Sequence, residues 1–411
     1  MKVQTPVINK STTQKSIPTA EFISIIAMLM ALVGFSINMI LPAFKDITEE
    51  LALSNENRVQ LMVSLLYLGL ALGQIIYGPA SDSMGRKSSL YLGLIVFIAG
   101  CMISFFAPTL SVLITGQIIQ GIGLGAPRIV TLAIVRDNFE GDHMGKVMSF
   151  VMLVFIVVPT ISPALGQGVL FVAGWRFIFI VFIILTSVML LWVYLRLPET
   201  LEKNKRKPIS FIQLKNRFLE VIKNKYALGY TIVLGLSSTA FISYLNLSQQ
   251  IFQLQYGLGP LYPMYFAILS LSLGCALLVN SQLVMRFGMN YLSKSALWAT
   301  SISASVFAIV TIVTNGSPPF WALMVFMMLV LFCFGILVGN LNAMALKPLG
   351  HIAGIGAAII GSISTMISVP FSIVVGNSYS GSVLPLVLGF ALFGSLALGV
   401  YYWVTKDKQT V

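Results

Sequence analysis

The chain has 411 residues, of which 57% are hydrophobic and 9% charged, and its mean hydropathy is +0.92. Soluble domains carry about 25% charged residues. An ordinary soluble enzyme is therefore excluded, and so are disorder and a collagen-like repeat, because the 34 Gly and 17 Pro recur without a period. The net charge of +12 would suit a nucleic-acid binder, but the Lys and Arg lie between apolar runs, where a membrane protein sets its orientation. A membrane helix needs about 20 mostly apolar residues. Twelve such runs are predicted, at 22–44, 59–80, 88–106, 110–135, 146–170, 175–197, 227–250, 260–284, 291–314, 320–346, 352–376 and 383–404. Short separators, such as Ala107-Pro108, Gly174 and Asn315 to Pro319, make consecutive helices antiparallel neighbours. Runs of this length do not alternate, so a β-barrel is excluded. The expected fold class is an all-α integral membrane protein of twelve transmembrane helices.

Residues 1–20 are polar and contain Lys2, Lys10 and Lys15, and no small-residue cleavage pattern follows the first run. That run is read as a retained span rather than a signal peptide. With the N-terminus inside, 21 of the 25 Lys and Arg fall on the inner side, and only Lys45, Arg58 and Arg176 on the outer. Both termini are thus expected to be cytoplasmic. The longest polar connection is rich in Lys and Arg and divides the spans six and six. The domains predicted are an N-terminal six-helix bundle at 1–200, a basic cytoplasmic linker at 201–225 and a C-terminal six-helix bundle at 226–411. Anionic lipid headgroups would suit the linker's charge. The halves echo each other: Ser83-Met84-Gly85-Arg86 after the second run answers Arg286-Phe287-Gly288 after the eighth, and Pro163 answers Pro370. Duplicated halves are how many transporters are built.

The stretch Gly78-Pro79-Ala80-Ser81-Asp82-Ser83-Met84-Gly85-Arg86-Lys87 resembles the loop between helices two and three of major facilitator superfamily transporters. In that family the loop is a conformational latch, which the resemblance assigns to Gly78, Asp82, Gly85, Arg86 and Lys87. The fifth run and its sequel, with Pro159, Pro163, Gly166 and Gly168 followed by Gly174-Trp175-Arg176, are similar to the antiporter motif of drug:proton antiporters of the Bcr/CflA type. Leu197-Pro198-Glu199-Thr200 and the Pro348 to Gly354 stretch fit the same group, and the likeness covers about residues 30 to 400. It implies two six-helix bundles around a central cavity, alternating access, and efflux of small organic compounds across the bacterial inner membrane by a protein acting as a monomer. Pro159 departs from the motif, which usually has Gly there.

Two further departures bear on mechanism. Asn38 stands where the group usually has Asp, and Gln117 where it usually has Arg. An amide cannot load and release a proton near neutral pH, so proton coupling through these positions is not expected. No Asp or Glu falls at mid-membrane, and Glu21 and Asp137 are the nearest substitutes. One charge remains inside a span: Arg128, three helical turns after Gln117. Gln117, Gln120 and Arg128 are expected to form a polar stripe facing the cavity, because intramembrane ionisable residues usually line cavities or meet partners. Gln74, Asn246, Asn340 and Asn342 are further cavity candidates, with interhelical bonding as the competing role for each amide; Gln249 and Asn280 stand beside them, and Tyr67, Phe241 and Tyr244 could line a pocket.

There is no Gly-Lys-Ser/Thr phosphate loop, no His/Cys ligand cluster and no Ser/His/Asp set, so neither a metal, a cofactor nor an enzymatic reaction is expected. Cys101, Cys275 and Cys333 fit no redox or metal spacing. The expected partners are a small-molecule substrate, the lipid bilayer and protons, without nucleic acid. Two alternatives accompany drug efflux: export or import of an anionic metabolite or siderophore with Arg128 as counter-charge, and a non-transporting membrane sensor.

Overall fold

The computed structural model describes residues 18–139, 141–206 and 211–406. Lys2, Lys10, Lys15, Glu140, Lys207, Asp407 and Lys408 lie outside it, as do the side chains of Asp142, His143, Lys146 and Lys205. Every regular element among the described residues is helical, and none is a strand. The spans of the first half are α1 (Thr19–Asn38), α3 (Leu61–Met84), α4 (Arg86–Phe105), α5 (Leu110–Asn138), α6 (Gly141–Ala173) and α7 (Arg176–Arg196), with the short α2 (Phe44–Glu50) after α1. The linker carries the amphipathic α8 (Phe211–Lys223). The second half holds α9 (Lys225–Gln249), α10 (Tyr262–Val313), α11 (Phe320–Leu346), α12 (Ala353–Asn377) and α13 (Leu384–Thr405).

Local chemistry starts these helices where the sequence turns polar. Thr109 caps α5 by accepting from the Val112 amide, and Asn224 caps α9 by accepting from Tyr226 and Ala227 at 3.1 and 3.0 Å. Prolines open α10 and α13 in the first turn, where the missing N–H is not needed. Ten helices among the described residues are long and apolar enough to cross a membrane. One of them, α10, holds the eighth and ninth runs together, and α6 carries the fifth.

The expected gap between runs eight and nine is a single residue rather than a loop. Gly288 breaks α10 with φ 79° and ψ 156°. Gly85, between α3 and α4, has φ 100° and ψ 158°. The two weakly matching sequence stretches therefore make the same sharp joint, in a region of backbone that only glycine enters easily.

Bilayer lipid supplies no hydrophobic drive between helices, so close packing must. In the first half α5 is the hub. Gly121 and Gly125 face α3, and Gly116 and Gly123 face α4. A methyl group added to Gly121 would lie 2.1 Å from the Leu66 carbonyl oxygen, and one at Gly123 would lie 2.4 Å from the Phe97 nitrogen. α6 packs on α1 through the antiporter-motif residues: Gly166 sits against the Met39 carbonyl, and Pro159 lies near Gly34. Gly168, also in the motif, lies on the exposed side of the helix and has no heavy atom within 4 Å of where its Cβ would be.

Across the halves, α3 runs along α12 and α6 lies against α10. The seam on the face opposite the termini is made of neutral groups. Asn57 Nδ2 donates to the carbonyls of Tyr379 at 2.8 Å and Asn377 at 3.3 Å, Gln250 Nε2 donates to Asn57 Oδ1 at 3.1 Å, and Gln60 donates to Gln250 Oε1. Gln250 opens a π-helical turn, Gln250–Gln255, at the end of α9. Deeper, Ser362 Oγ on α12 donates to the Ala71 carbonyl on α3 at 2.8 Å.

Gly121→Ala is expected to destabilise the protein by about 1–3 kcal/mol through overpacking. Gly168→Ala should be neutral or stabilising by about 0.5–1 kcal/mol, because it removes glycine's chain entropy without a clash. Thermal unfolding in detergent separates the two.

Candidate functional site

Arg128 follows Pro127 in α5, and its side chain is only partly buried although it lies well inside the helix. Its guanidinium interacts electrostatically with the Tyr67 hydroxyl group of α3. The two residues are brought together by the glycine-lined contact of α3 with α5. Gln117 shares the Arg128 face of α5 by spacing and is buried to 1% exposure. The expected stripe nevertheless loses one member. Gln120 turns to α4, where its Nε2 donates to Ser104 Oγ at 2.8 Å and to the Gly100 carbonyl at 3.4 Å. The reason is steric: Gly100 and Gly116 let α4 come close enough for the amide to reach across.

The other amides divide in the same way. Gln74, on α3, sets its Oε1 against Gly361 of α12, where a Cβ would meet it at 2.9 Å. Asn246 on α9 donates to Ser64 Oγ on α3 at 2.8 Å, so it joins the halves. Asn340 and Asn280 exchange two amide bonds, at 2.9 and 3.0 Å, and fasten α11 to α10. Asn342 and Asn38 each fold back onto their own helix, to the carbonyls of Val338 at 2.9 Å and Gly34 at 2.8 Å. Gln249 donates to Gln253. An aromatic wall stands on the second-half side: Phe241 stacks on Phe334 with centroids 4.6 Å apart, and Tyr244 stacks on Phe266 at 5.9 Å.

The described acids are all near the faces. Among the described residues no Asp or Glu sits at mid-span. Glu21, just ahead of the apolar run that begins at Phe22, accepts from Arg196 at 2.6 Å through both oxygens and from Trp192 Nε1. Bonding to Arg196 holds its carboxyl down to about 2. Asp137 accepts from Arg86 Nε at 2.9 Å and from Thr200 at 3.0 Å. On the opposite face Glu50 accepts from Trp175 Nε1 at 2.5 Å and pairs with Arg176, which also donates to the Ala107 carbonyl at 3.1 Å. Partial burial would raise the Glu50 carboxyl, but these donors outweigh it and leave it below the ordinary range. The Trp-Arg pair thus ties α2 and the α4–α5 turn to the start of α7.

The joint between α3 and α4 is a dense ion network. Arg86 bonds Asp82 at 2.5 Å, Asp137 at 2.9 Å and Ser81 at 2.9 Å. Its backbone amide and that of Lys87 donate to the two oxygens of Glu199, at 2.9 and 3.2 Å, and the Leu201 amide adds a third bond. Glu199 therefore caps the first turn of α4, where a helix favours negative charge. Lys87 Nζ donates to the Tyr194 carbonyl at 2.9 Å. A Cβ added at Gly78 would lie 3.8 Å from Ala358 on α12, at ordinary contact distance. The Glu199 anchor was not assigned from sequence, although Leu197-Pro198-Glu199-Thr200 marked the segment that holds it. The Asn57–Gln250 seam was missed entirely, since nothing in one sequence pairs residues so far apart.

The family model of the Major Facilitator Superfamily matches residues 26–374. The chain belongs to that superfamily. Over 389 residues it is 28% identical to the MFS-type transporter YdgK of Bacillus subtilis (strain 168), covering 93% of this chain and 95% of the relative. It is 26% identical to a bicyclomycin resistance protein homolog of Haemophilus influenzae, covering 96% and 98%. The structure of the E. coli xylose transporter XylE, in a partially occluded inward open conformation, superposes with a TM-score of 0.75 at 14% identity, over 93% of this chain and 97% of XylE. That likeness shows the fold alone. The expected superfamily, helical fold and absence of an enzymatic family are thus met by the comparisons: this is a multi-pass membrane transporter.

Replacing Glu199 with Ala leaves three amides without their acceptor. The loss of this cap should destabilise the protein by about 1–2 kcal/mol, read by thermal unfolding, whereas Lys203→Gln in the neighbouring exposed turn should change little.

Proposed function

We propose that this transporter exports small organic compounds across the bacterial inner membrane by alternating access, with both termini cytoplasmic. Residues 1–200 and 226–411 form the two bundles in this reading, and 201–225 links them. Export is supported by the chain-long likeness to a bicyclomycin resistance protein homolog. The choice of cargo rests on one observation: Arg128 and Tyr67 lie together inside the first half while every described acid is near a face. A fixed cation in a medium of low dielectric attracts an anion far more strongly than water would allow, and repels a cation equally. Compounds with a carboxylate or similar anionic group are therefore the preferred cargo, and lipophilic cations the disfavoured one.

The same arginine favours a second reading, a carrier of an anionic metabolite or siderophore in either direction. In both readings Asn38 and Gln117 serve as neutral groups, so any proton coupling runs through other positions. Glu21 does not supply it in this state: an acid held near 2 stays ionised across the physiological range and takes up a proton only as pH falls towards that value.

Transport into sealed proteoliposomes under an imposed pH gradient tests the reading, with lipophilic cations, zwitterionic antibiotics and carboxylates as solutes. Carboxylate flux should fall at least about tenfold in Arg128→Ala, the effect of losing roughly 1.4 kcal/mol of binding, and recover in part in Arg128→Lys. Gradient-driven cation flux that ignores Arg128 would sink it. Separately, Glu21→Gln should leave the pH profile of transport where it is, and a displaced profile would make Glu21 the proton carrier.

A further inference from the structure

We propose that the end of α13 nearest the termini, with the flanking ends of α9 and α10, is a binding site for the headgroup of an anionic phospholipid. α13 turns one stripe outward: Leu388, Leu392 and Leu396 are exposed at successive turns. The spacing of four marks a helix face laid against acyl chains. At the end of that stripe the residues change character, to Tyr402 and Trp403 and then to Lys406, all exposed.

Cations from both neighbouring helices gather on these rings. Lys294 Nζ of α10 lies 5.1 Å from the centroid of Tyr402, and Lys225 Nζ of α9 lies 5.2 Å from that of Trp403. α13 packs against both α9 and α10, so the two ammonium groups approach it from different neighbours. Trp298, itself exposed, donates from Nε1 to Tyr402 Oη at 3.1 Å and fixes that ring. Each ammonium is held over an aromatic face by the ring quadrupole, which positions it beside the ring.

The level in the bilayer fits. Trp and Tyr collect where acyl chains meet headgroups, and the leucine stripe ends at these rings. The charge bias makes this face cytoplasmic, and the headgroups of that leaflet attract basic clusters. A phosphodiester bracketed by Lys225, Lys294 and Lys406, with Tyr402 and Trp298 beneath it, meets cations and hydrogen-bond donors while its acyl chains follow Leu396, Leu392 and Leu388. The basic linker is a rival source of lipid preference, so the test must separate the two.

The full chain, purified in a neutral detergent, would be titrated with phosphatidylglycerol, cardiolipin or phosphatidylcholine, with bound lipid counted by native mass spectrometry and the melting temperature followed in parallel. The anionic lipids should bind and raise the melting temperature, and phosphatidylcholine should not. At about 1 kcal/mol for each lysine near the surface, Lys225→Gln with Lys294→Gln should weaken anionic-lipid binding about thirty-fold. The melting temperature in phosphatidylcholine should stay unchanged. Trp403→Leu, which keeps both charges, should weaken binding by a smaller factor and serves if the double variant does not fold. Lys215→Gln with Lys223→Gln, in α8, should leave it intact. Wild-type affinity in the double variant, or loss of the preference in the α8 variant instead, would overturn the site.

Discussion

The first half of this transporter depends on how closely α5 can approach its neighbours. In lipid there is no water to expel from between helices, so what holds them is contact area and the hydrogen bonds that contact permits. Gly116 and Gly123 on one side of α5, and Gly121 and Gly125 on the other, bring α4 and α3 to backbone distance. Two polar features of the first half follow from the approach. Gln120 reaches Ser104 because α4 is near, and Arg128 lies in electrostatic range of Tyr67 because α3 is near. A bulkier α5 would leave the Gln120 amide without its acceptor, an expensive group to strand in a membrane.

The duplicated joints show how one backbone device serves two ends. Gly85 and Gly288 share nearly the same φ and ψ, and each turns one span into the next without a loop. Only the first is surrounded by charge. Glu199 and Arg206 crowd Gly85, while Gly288 has nothing within 4 Å of its Cβ position. The network of Asp82, Arg86, Asp137 and Glu199 thus fixes one joint and leaves its counterpart plain. All these partners belong to the first half or the start of the linker. The network therefore ties α3, α4, α5 and the exit of α7 together, while a Cβ at Gly78 would meet Ala358 of α12 only at ordinary contact distance and one at Gly354 of α12 would lie 3.0 Å from the Arg136 guanidinium.

Much of this was legible in the sequence. The twelve apolar runs, the glycine-rich turn with its Asp and basic pair, and the Pro and Gly of the fifth span report local chemistry, which one sequence carries in full. What it does not carry is the direction in which an amide points. Gln117 and Gln120 are separated by less than a turn, and only the proximity of α4 decides that Gln120 faces away from Arg128. Asn340 and Asn246 look alike as single letters, yet one bonds Asn280 within its own half and the other bonds Ser64 across the seam. The glycine spacing of Gly69, Gly73, Gly121 and Gly125 was the signal that could have placed α3 against α5 beforehand, because small residues four apart are what a backbone-to-backbone crossing needs.

The distribution of charge sets the terms on which such a carrier can alternate. The halves meet at one face through amides and carbonyls, Asn57, Gln60, Gln250 and Tyr379, whose bonds do not change between pH 5 and pH 8. Glu21 and Asp137, the acids nearest the spans, are bonded to arginines at the faces, Glu21 to Arg196 and Asp137 to Arg86. The amide bonds of the seam themselves therefore offer no protonation step, and the interior offers a positive charge that does not titrate. In the proposed reading the cargo itself completes the electrostatics. An anion beside Arg128 lowers the net charge that must be carried past the low-dielectric seam, so the loaded protein isomerises more readily than the empty one. That is the condition for moving solute rather than leaking. It follows from a single arginine and the absence of described mid-span acids, and it asks nothing of Asn38 or Gln117 beyond remaining neutral.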